Sequence, residues 1–168
     1  MERLFIETKF AADQSGAIEG IAWPFGSADR VGDIIEKGAF VGANLPLPML
    51  FGHDFNDPLG SWHEATETTE GLRLKGTLLV NEVARAREVR ALVTAGAVRG
   101  ISLGFITRKS APRKGGGRTI TQLELLEASL VTIPMHPGAR VTSAKSAVAA
   151  LSLAAAINRT ALALRTPR

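Results

Sequence analysis

The chain has 168 residues, 45% of them apolar, enough to bury the core of one domain and too apolar for a disordered protein. It has no cysteine, which excludes disulfides, thiolate metal sites and a cysteine nucleophile and fits an intracellular protein. The net charge of +4 is unevenly placed: Gly138 to Arg168 holds five basic residues and no acid, leaving 15 basic and 16 acidic residues elsewhere.

The start, Met1 to Glu7, lacks the basic-then-apolar pattern of a signal sequence. Leu4 to Phe10 and Ala17 to Trp23 read as strands joined by a turn at Asp13-Gln14-Ser15-Gly16. Phe25 to Gly38 is loop-rich, and Leu47 to Phe51 is a short apolar strand ending at Gly52-His53-Asp54. Leu59 to Thr66 and Leu72 to Val80 form a strand pair with Gly71 at the turn. Asn81 is the expected N-cap of a helix from Glu82 to about Ala95, with Val83, Ala86, Val89 and Val93 as its apolar stripe and Gly96 at its end. A strand carrying Ser102 follows, then a loop around Gly115-Gly116-Gly117. A strand or strand pair then runs from Thr119 to Ile133, broken by Pro134 and Pro137. Ala147 to Leu164 is rich in Ala and Leu and reads as a helix. The uncharged run Ser146 to Asn158 is too short to span a bilayer, so no membrane association is expected. Strands dominate, so the expected fold is α+β: a small antiparallel β-barrel with surrounding helices. The expected division is a domain over 1–142 and an Ala-rich, basic, helical tail over 143–168.

The segment Arg99-Gly100-Ile101-Ser102-Leu103-Gly104-Phe105 sets a serine between two glycines. Alternation puts Ile101, Leu103 and Phe105 on one face and Ser102 and Gly104 on the other. Glycines beside a serine let a backbone or a substrate approach its hydroxyl closely. The string also matches the G-x-S-x-G nucleophile elbow, but an elbow needs a strand before and a helix after, the reverse of the order here. A strand serine flanked by packing glycines is the alternative to a nucleophile.

His53 follows an apolar strand and a glycine, held firmly yet able to reach a cleft, and an imidazole is the side-chain type suited to a general base. A surface turn histidine is the alternative. Glu127, under strict alternation, shares a face with Leu123, Leu125, Ser129 and Val131. A carboxylate on an apolar face needs a partner. A histidine that charges during catalysis is one, an arginine is another, and a bulge turning Glu127 outward removes the need. Together Ser102, His53 and Glu127 compose a hydrolytic site, the constellation of a serine protease. The three histidines, His53, His63 and His136, lack zinc-site spacing, so no metal and no cofactor is expected. Arg108, Lys109, Arg113, Lys114 and Arg118 surround the glycine-rich loop. Without Tyr, and with both Trp far away in sequence, they read as a solvated loop and not a nucleic-acid surface.

Four of these segments resemble the tailed-phage prohead protease family, the capsid-maturation proteases of one major phage lineage. Gly20-Ile21-Ala22-Trp23-Pro24-Phe25-Gly26, then Asp29 and Gly32-Asp33-Ile34-Ile35-Glu36-Lys37-Gly38-Ala39-Phe40, is similar to the family's N-terminal signature. Leu50-Phe51-Gly52-His53-Asp54 with Pro58-Leu59-Gly60 resembles its histidine motif, and Val98 to Phe105 its serine motif. Leu126 to Pro134, then Pro137-Gly138-Ala139, resembles its last block, and the four span residues 17 to 142 in the family's order. The family is related in fold to herpesvirus assembly proteases, which implies the small barrel and a serine nucleophile.

Carried over, the resemblance makes Ser102 the nucleophile and His53 its base. The herpesvirus relatives use a second histidine as the third member where the phage family uses an acid. Glu127 fits that place, with His63, His136 and Asp54 as competitors. The chain departs from the family pattern at Ala128, where a branched residue is common, and at Met135-His136, where Ala-Asn is common. The oxyanion region is expected near Met135 and His136, directly after the third-member strand. The implied substrates are virion proteins inside an immature capsid in the bacterial cytoplasm. They are the major capsid protein with its scaffold segment, and the protease itself, including its own tail. The source is a phage, a prophage or a phage-derived gene transfer agent, and the herpesvirus relatives imply a homodimer. Two other readings stay open: a capsid assembly or scaffold module that kept the fold and lost catalysis, and a nucleic-acid-binding protein using the basic clusters.

Overall fold

Turn chemistry divides the chain into strands. The computed structural model describes residues 16–143. The strand expected over 4–10, and the helix over 147–164 with the tail it was assigned to, lie outside the described residues. The elements are β1 (Ala17–Pro24), β2 (Ile34–Ile35), β3 (Leu47–Phe51), β4 (Asp54–Glu67), β5 (Gly71–Leu78), α1 (Ala84–Thr94), β6 (Gly100–Pro112), β7 (Arg118–Val131) and β8 (Arg140–Ser143). The sheet runs in the order β2-β7-β3-β4-β5-β1-β8, with β6 paired to β7.

Pairing is mixed and not purely antiparallel: β2 and β3 both run parallel to β7. Nor does the sheet close into a hydrogen-bonded barrel. Among the described residues no ladder joins β6 to β1 or β8. The seam is filled by packing instead. A Cβ on Gly20 of β1 would strike the Ile101 side chain of β6, and one backbone bond, from Val141 N–H to Arg99 C=O at 3.0 Å, crosses near it. The core between the strands is built from Trp62, Met49, Leu59, Ile101 and Leu130, all fully buried. The Trp62 indole N–H donates to the Ala128 carbonyl at 2.9 Å, tying β4 to β7.

Helix α1 buries Ala86, Val89 and Val93 on its expected stripe, while Val83 is half-buried just outside the helix. Asn81 is not its cap. The N-cap is Val83, without a side-chain cap, because the chain enters through a turn in which Val83 N–H already reaches Leu79 C=O at 2.8 Å. The other end follows the sequence. Gly96 takes φ +75°, its N–H reaches Val93 C=O and that of Ala97 reaches Leu92 C=O, the paired bonds of a Schellman stop. Among the described residues α1 is the one helix of the fold.

Candidate active site

Three adjacent strands meet at the site: β6, β7 and β3. Ser102 of β6 lies directly opposite Ser129 of β7, and Gly104 opposite Glu127. The face assignment on β6 follows the alternation: Ile101 is in the core, with Leu103 and Phe105 packed against it, and Ser102 is turned away. On β7 alternation fails twice, once between Ile120 and Leu123 and once nearer the site, between Leu125 and Glu127. Glu127 pairs with Gly104 and Leu125 with Phe105, so Leu126 is an extra, exposed residue, a β-bulge. The bulge lets Leu123, Leu125, Ala128 and Leu130 all join the core. Glu127 therefore does not share a face with Leu123 and Leu125. It projects with Ser129 onto the face that carries Ser102.

His53 comes from the end of β3. Phe51 pairs with Asp54, so Gly52 and His53 alone make the turn into β4. Both take positive φ, +62° and +64°, as a primed two-residue hairpin turn demands. This tight turn is why β4 begins at Asp54, five residues before the strand start read from the sequence. His53 Nδ1 lies 2.6 Å from Glu127 Oε1. The carboxylate only accepts, so this bond places a ring proton on Nδ1, and in the neutral imidazole Nε2 then carries the lone pair. The imidazole is 43% exposed and the carboxylate behind it 3%. The Ser129 hydroxyl donates to the other oxygen, Oε2, at 2.7 Å, so both oxygens of the buried acid are satisfied.

The two glycines beside Ser102 have separate reasons. A Cβ on Gly104 would collide with Glu127 Oε1, and one on Gly100 would press against the Pro134 ring at 2.7 Å. Each glycine makes room for a wall of the site. Ser102 and His53 line one cavity of about 370 Å³, together with Arg30, Phe51 and residues 131–135. Arg30 is held there by its backbone N–H on Met135 C=O and its Nε on Pro134 C=O, both 3.3 Å. The structure thus brings Ser102, His53, Glu127 and Met135 together. His136 is turned away: Nδ1 accepts Gly138 N–H at 3.1 Å, Nε2 faces Ser27 at 3.2 Å, and the ring meets Trp23 edge-on at 4.9 Å. His63 is exposed on β4 outside the cavity, and Asp54 is exposed and accepts the Asn56 N–H. A serine hydroxyl, an imidazole with a free Nε2 and a buried carboxylate behind it are the parts needed for acyl transfer. Among the described residues no cluster of His, Asp or Glu could hold a metal ion.

Residues 4–153 match the caudovirus prohead serine protease family. The chain belongs to that family. It is 34% identical over 148 residues to the capsid polyprotein of Pseudomonas phage PAJU2, covering 84% of this chain and 22% of that protein. It is 32% identical over 148 residues to the prohead protease of Enterobacteria phage HK97, covering 83% of this chain and 65% of that one. The chain therefore spans less than two thirds of the length of either relative. Among solved structures it is similar to KSHV protease in complex with a hexapeptide phosphonate inhibitor. The TM-score is 0.51 and the identity 13%, over 76% of this chain and 64% of that one. At that identity the likeness is one of fold: herpesvirus-protease-like, mostly sheet with few helices.

In this prohead protease family member the basic cluster of the β6–β7 hairpin is largely spent on structure. Arg108 pairs with Glu124, Arg113 donates to Gly32 C=O at 2.5 Å, and Arg118 pairs with Asp33 at 2.5 Å. Asp33, Arg30 and Ser129 have no role that the sequence pattern assigns. Only Ser129 left a signal, as a polar residue on the same face as Glu127.

Proposed function

We propose that this chain is a serine endopeptidase that trims capsid and scaffold proteins during prohead maturation. Ser102 Oγ attacks a peptide carbonyl and passes its proton to His53 Nε2, while Glu127 holds the imidazole and stabilises its charged form. The developing oxyanion needs N–H donors, which we assign to the cavity wall from Thr132 to Met135, with His136 bracing the turn behind it. Water then releases the acyl-enzyme, with His53 as its base. The observation that carries this reading is the 2.6 Å bond between His53 and the buried Glu127, behind a cavity that His53 shares with Ser102.

The substrates of this reading are the major capsid protein, its scaffold segment and the protease's own chain. All are confined with the enzyme in the immature capsid inside the host cell. Confinement supplies a high effective concentration, so a modest intrinsic rate suffices. The assembly we assign is a homodimer, read by sedimentation velocity on the Ser102→Ala protein.

The test is co-expression with the cognate major capsid protein, as wild type and as Ser102→Ala, reading the masses of both proteins. Serine-dependent trimming is expected, with Ser102→Ala at least about 10³-fold slower and its unfolding midpoint nearly unchanged. Assembly without trimming by either form would leave a non-catalytic assembly module as the better reading.

A further inference from the structure

We infer that Ser129 is a positioning residue of the site, whose hydroxyl locks the Glu127 carboxylate and the His53 turn into one unit. The inference rests on the catalytic reading above and adds a residue that neither the nucleophile-base-acid pattern nor the family match requires.

The geometry is a closed ring. Along β3 the chain pairs in parallel with β7, and as it leaves the strand Gly52 N–H donates to Leu130 C=O at 3.1 Å. The next donor, His53 N–H, is taken by Ser129 Oγ at 3.0 Å. That hydroxyl donates onward to Glu127 Oε2 at 2.7 Å, and Glu127 Oε1 meets His53 Nδ1 at 2.6 Å. One hydroxyl therefore holds the backbone of His53 and, through the carboxylate, its ring. The backbone hold matters because His53 sits at φ +64°, a left-handed conformation that a side-chain-bearing residue keeps only when its surroundings fix it.

Two serines stand side by side across β6 and β7, and the cavity separates them. Ser129 is 0% exposed and outside the cavity lining, so it meets no substrate, whereas Ser102 lines the cavity. Removing the Ser129 hydroxyl takes a donor from Glu127, which concentrates negative charge on Oε1 and holds a protonated His53 more tightly. The acid limb of the pH–rate profile then moves to higher pH. The other charged groups near His53 are Arg30 across the cavity and Asp54 next in the chain. Arg85 of α1, over the Phe51 ring, is committed to Asp57 and Glu88. None of these touches Ser129, so the shift reports the ring.

The experiment is phosphorylation of the whole chain by diisopropyl fluorophosphate across pH, followed by mass. The Ser102 Oγ–P bond forms, the P–F bond breaks, fluoride leaves, and the hydroxyl proton passes to His53 Nε2. Expected is labelling of wild type on Ser102. Ser129→Ala should label about 10- to 100-fold slower, with an acid limb raised by roughly half a pH unit or more. Ser129→Thr, which keeps the hydroxyl, should restore the wild-type limb and most of the rate. Ser129→Cys, a weaker donor of similar size, carries the same test if Ser129→Ala does not fold. The inference is overturned if the Ser129→Ala or Ser129→Cys protein keeps the wild-type rate, if it slows with an unmoved limb, or if folded Ser129→Thr behaves like it. Wild type that labels elsewhere than Ser102, or not at all, overturns the catalytic reading itself and this inference with it.

Discussion

Glu127 and Asp33 are both buried acids, set at opposite ends of β7, and they are partnered in opposite ways. Asp33 meets a permanent cation: the Arg118 guanidinium and backbone N–H both donate to it. The Arg118 side-chain bonds hold the Asp33 carboxyl below its ordinary value of 3.8, outweighing the burial that pushes it the other way. Arg118 is raised in turn, first by the same bonds. Glu127 meets a histidine and a serine, neither of them a permanent cation. A buried acid beside an arginine is a finished bond that docks the β6–β7 hairpin on the 29–33 loop. A buried acid beside a histidine is a bond that strengthens when a proton arrives, which is what a general base requires. The partner, not the burial, separates structure from chemistry.

The sharpest break of that comparison is Glu127→Gln. It keeps the size and a hydrogen-bonding group but removes the charge that a protonated His53 needs. Turnover should fall by roughly 10³- to 10⁴-fold, with a small change in the unfolding midpoint, read by capsid trimming and urea melts in parallel. A variant that trims at near wild-type rate would remove Glu127 from the mechanism. Gly104→Ala comes next. Its Cβ collides with Glu127 Oε1, so the carboxylate must move off the His53 ring. The expected loss is about 10- to 100-fold in rate and about 1–3 kcal/mol in stability. Full activity in folded Gly104→Ala would mean the carboxylate need not occupy its present place.

What was legible follows from how local each cause is. The strands β1 and β3, the stripe of α1 and its stop at Gly96 are written in neighbouring residues and read correctly. So is the pairing of faces around Ser102, because β6 keeps strict alternation there. That Glu127 needs a partner was also legible, since a charge in an apolar strand is costly wherever it points. Which way it points was not. The bulge at Leu126 exists only through the register of β7 on β6, and it turns Glu127 off the core face and onto the site. The bulge and the histidine, separate alternatives in the sequence, act together in the fold. Barrel closure depends on a seam between strands distant in sequence, and β2 is two residues whose parallel pairing leaves no pattern. Asn81 is a good cap by type, yet the chain path through Leu79 gave the position to Val83. Asp33 lies in a run of Gly and Asp that reads as turn, and its role appears only when Arg118 arrives from 85 residues away.

The other half of the comparison is tested by Asp33→Asn, which should cost stability and spare chemistry. Arg118 is half exposed, so solvent screens part of the pair, and a loss of about 1–2 kcal/mol is expected at neutral pH. Because the folded Asp33 titrates below its ordinary 3.8, its contribution is complete above that value and is lost as pH falls through the lowered one. Urea midpoints of wild type and Asp33→Asn should therefore differ by a constant amount from neutral pH down to about 4 and converge below it. A gap that stays open in acid would mean that something other than the ionised carboxyl is at stake. Phosphorylation of Ser102 by diisopropyl fluorophosphate at neutral pH should stay within about threefold, since Asp33 lies outside the cavity lining. The smallest effect is expected a few residues along the same hairpin tip, from Lys109→Ala with Lys114→Ala. Both lysines are exposed, and the pair should move stability by no more than about 0.5 kcal/mol. Retention on DNA should be weak in wild type at physiological salt and unaltered in the variant. A salt-sensitive affinity lost with the two lysines would give the hairpin tip a binding role beyond docking the 29–33 loop.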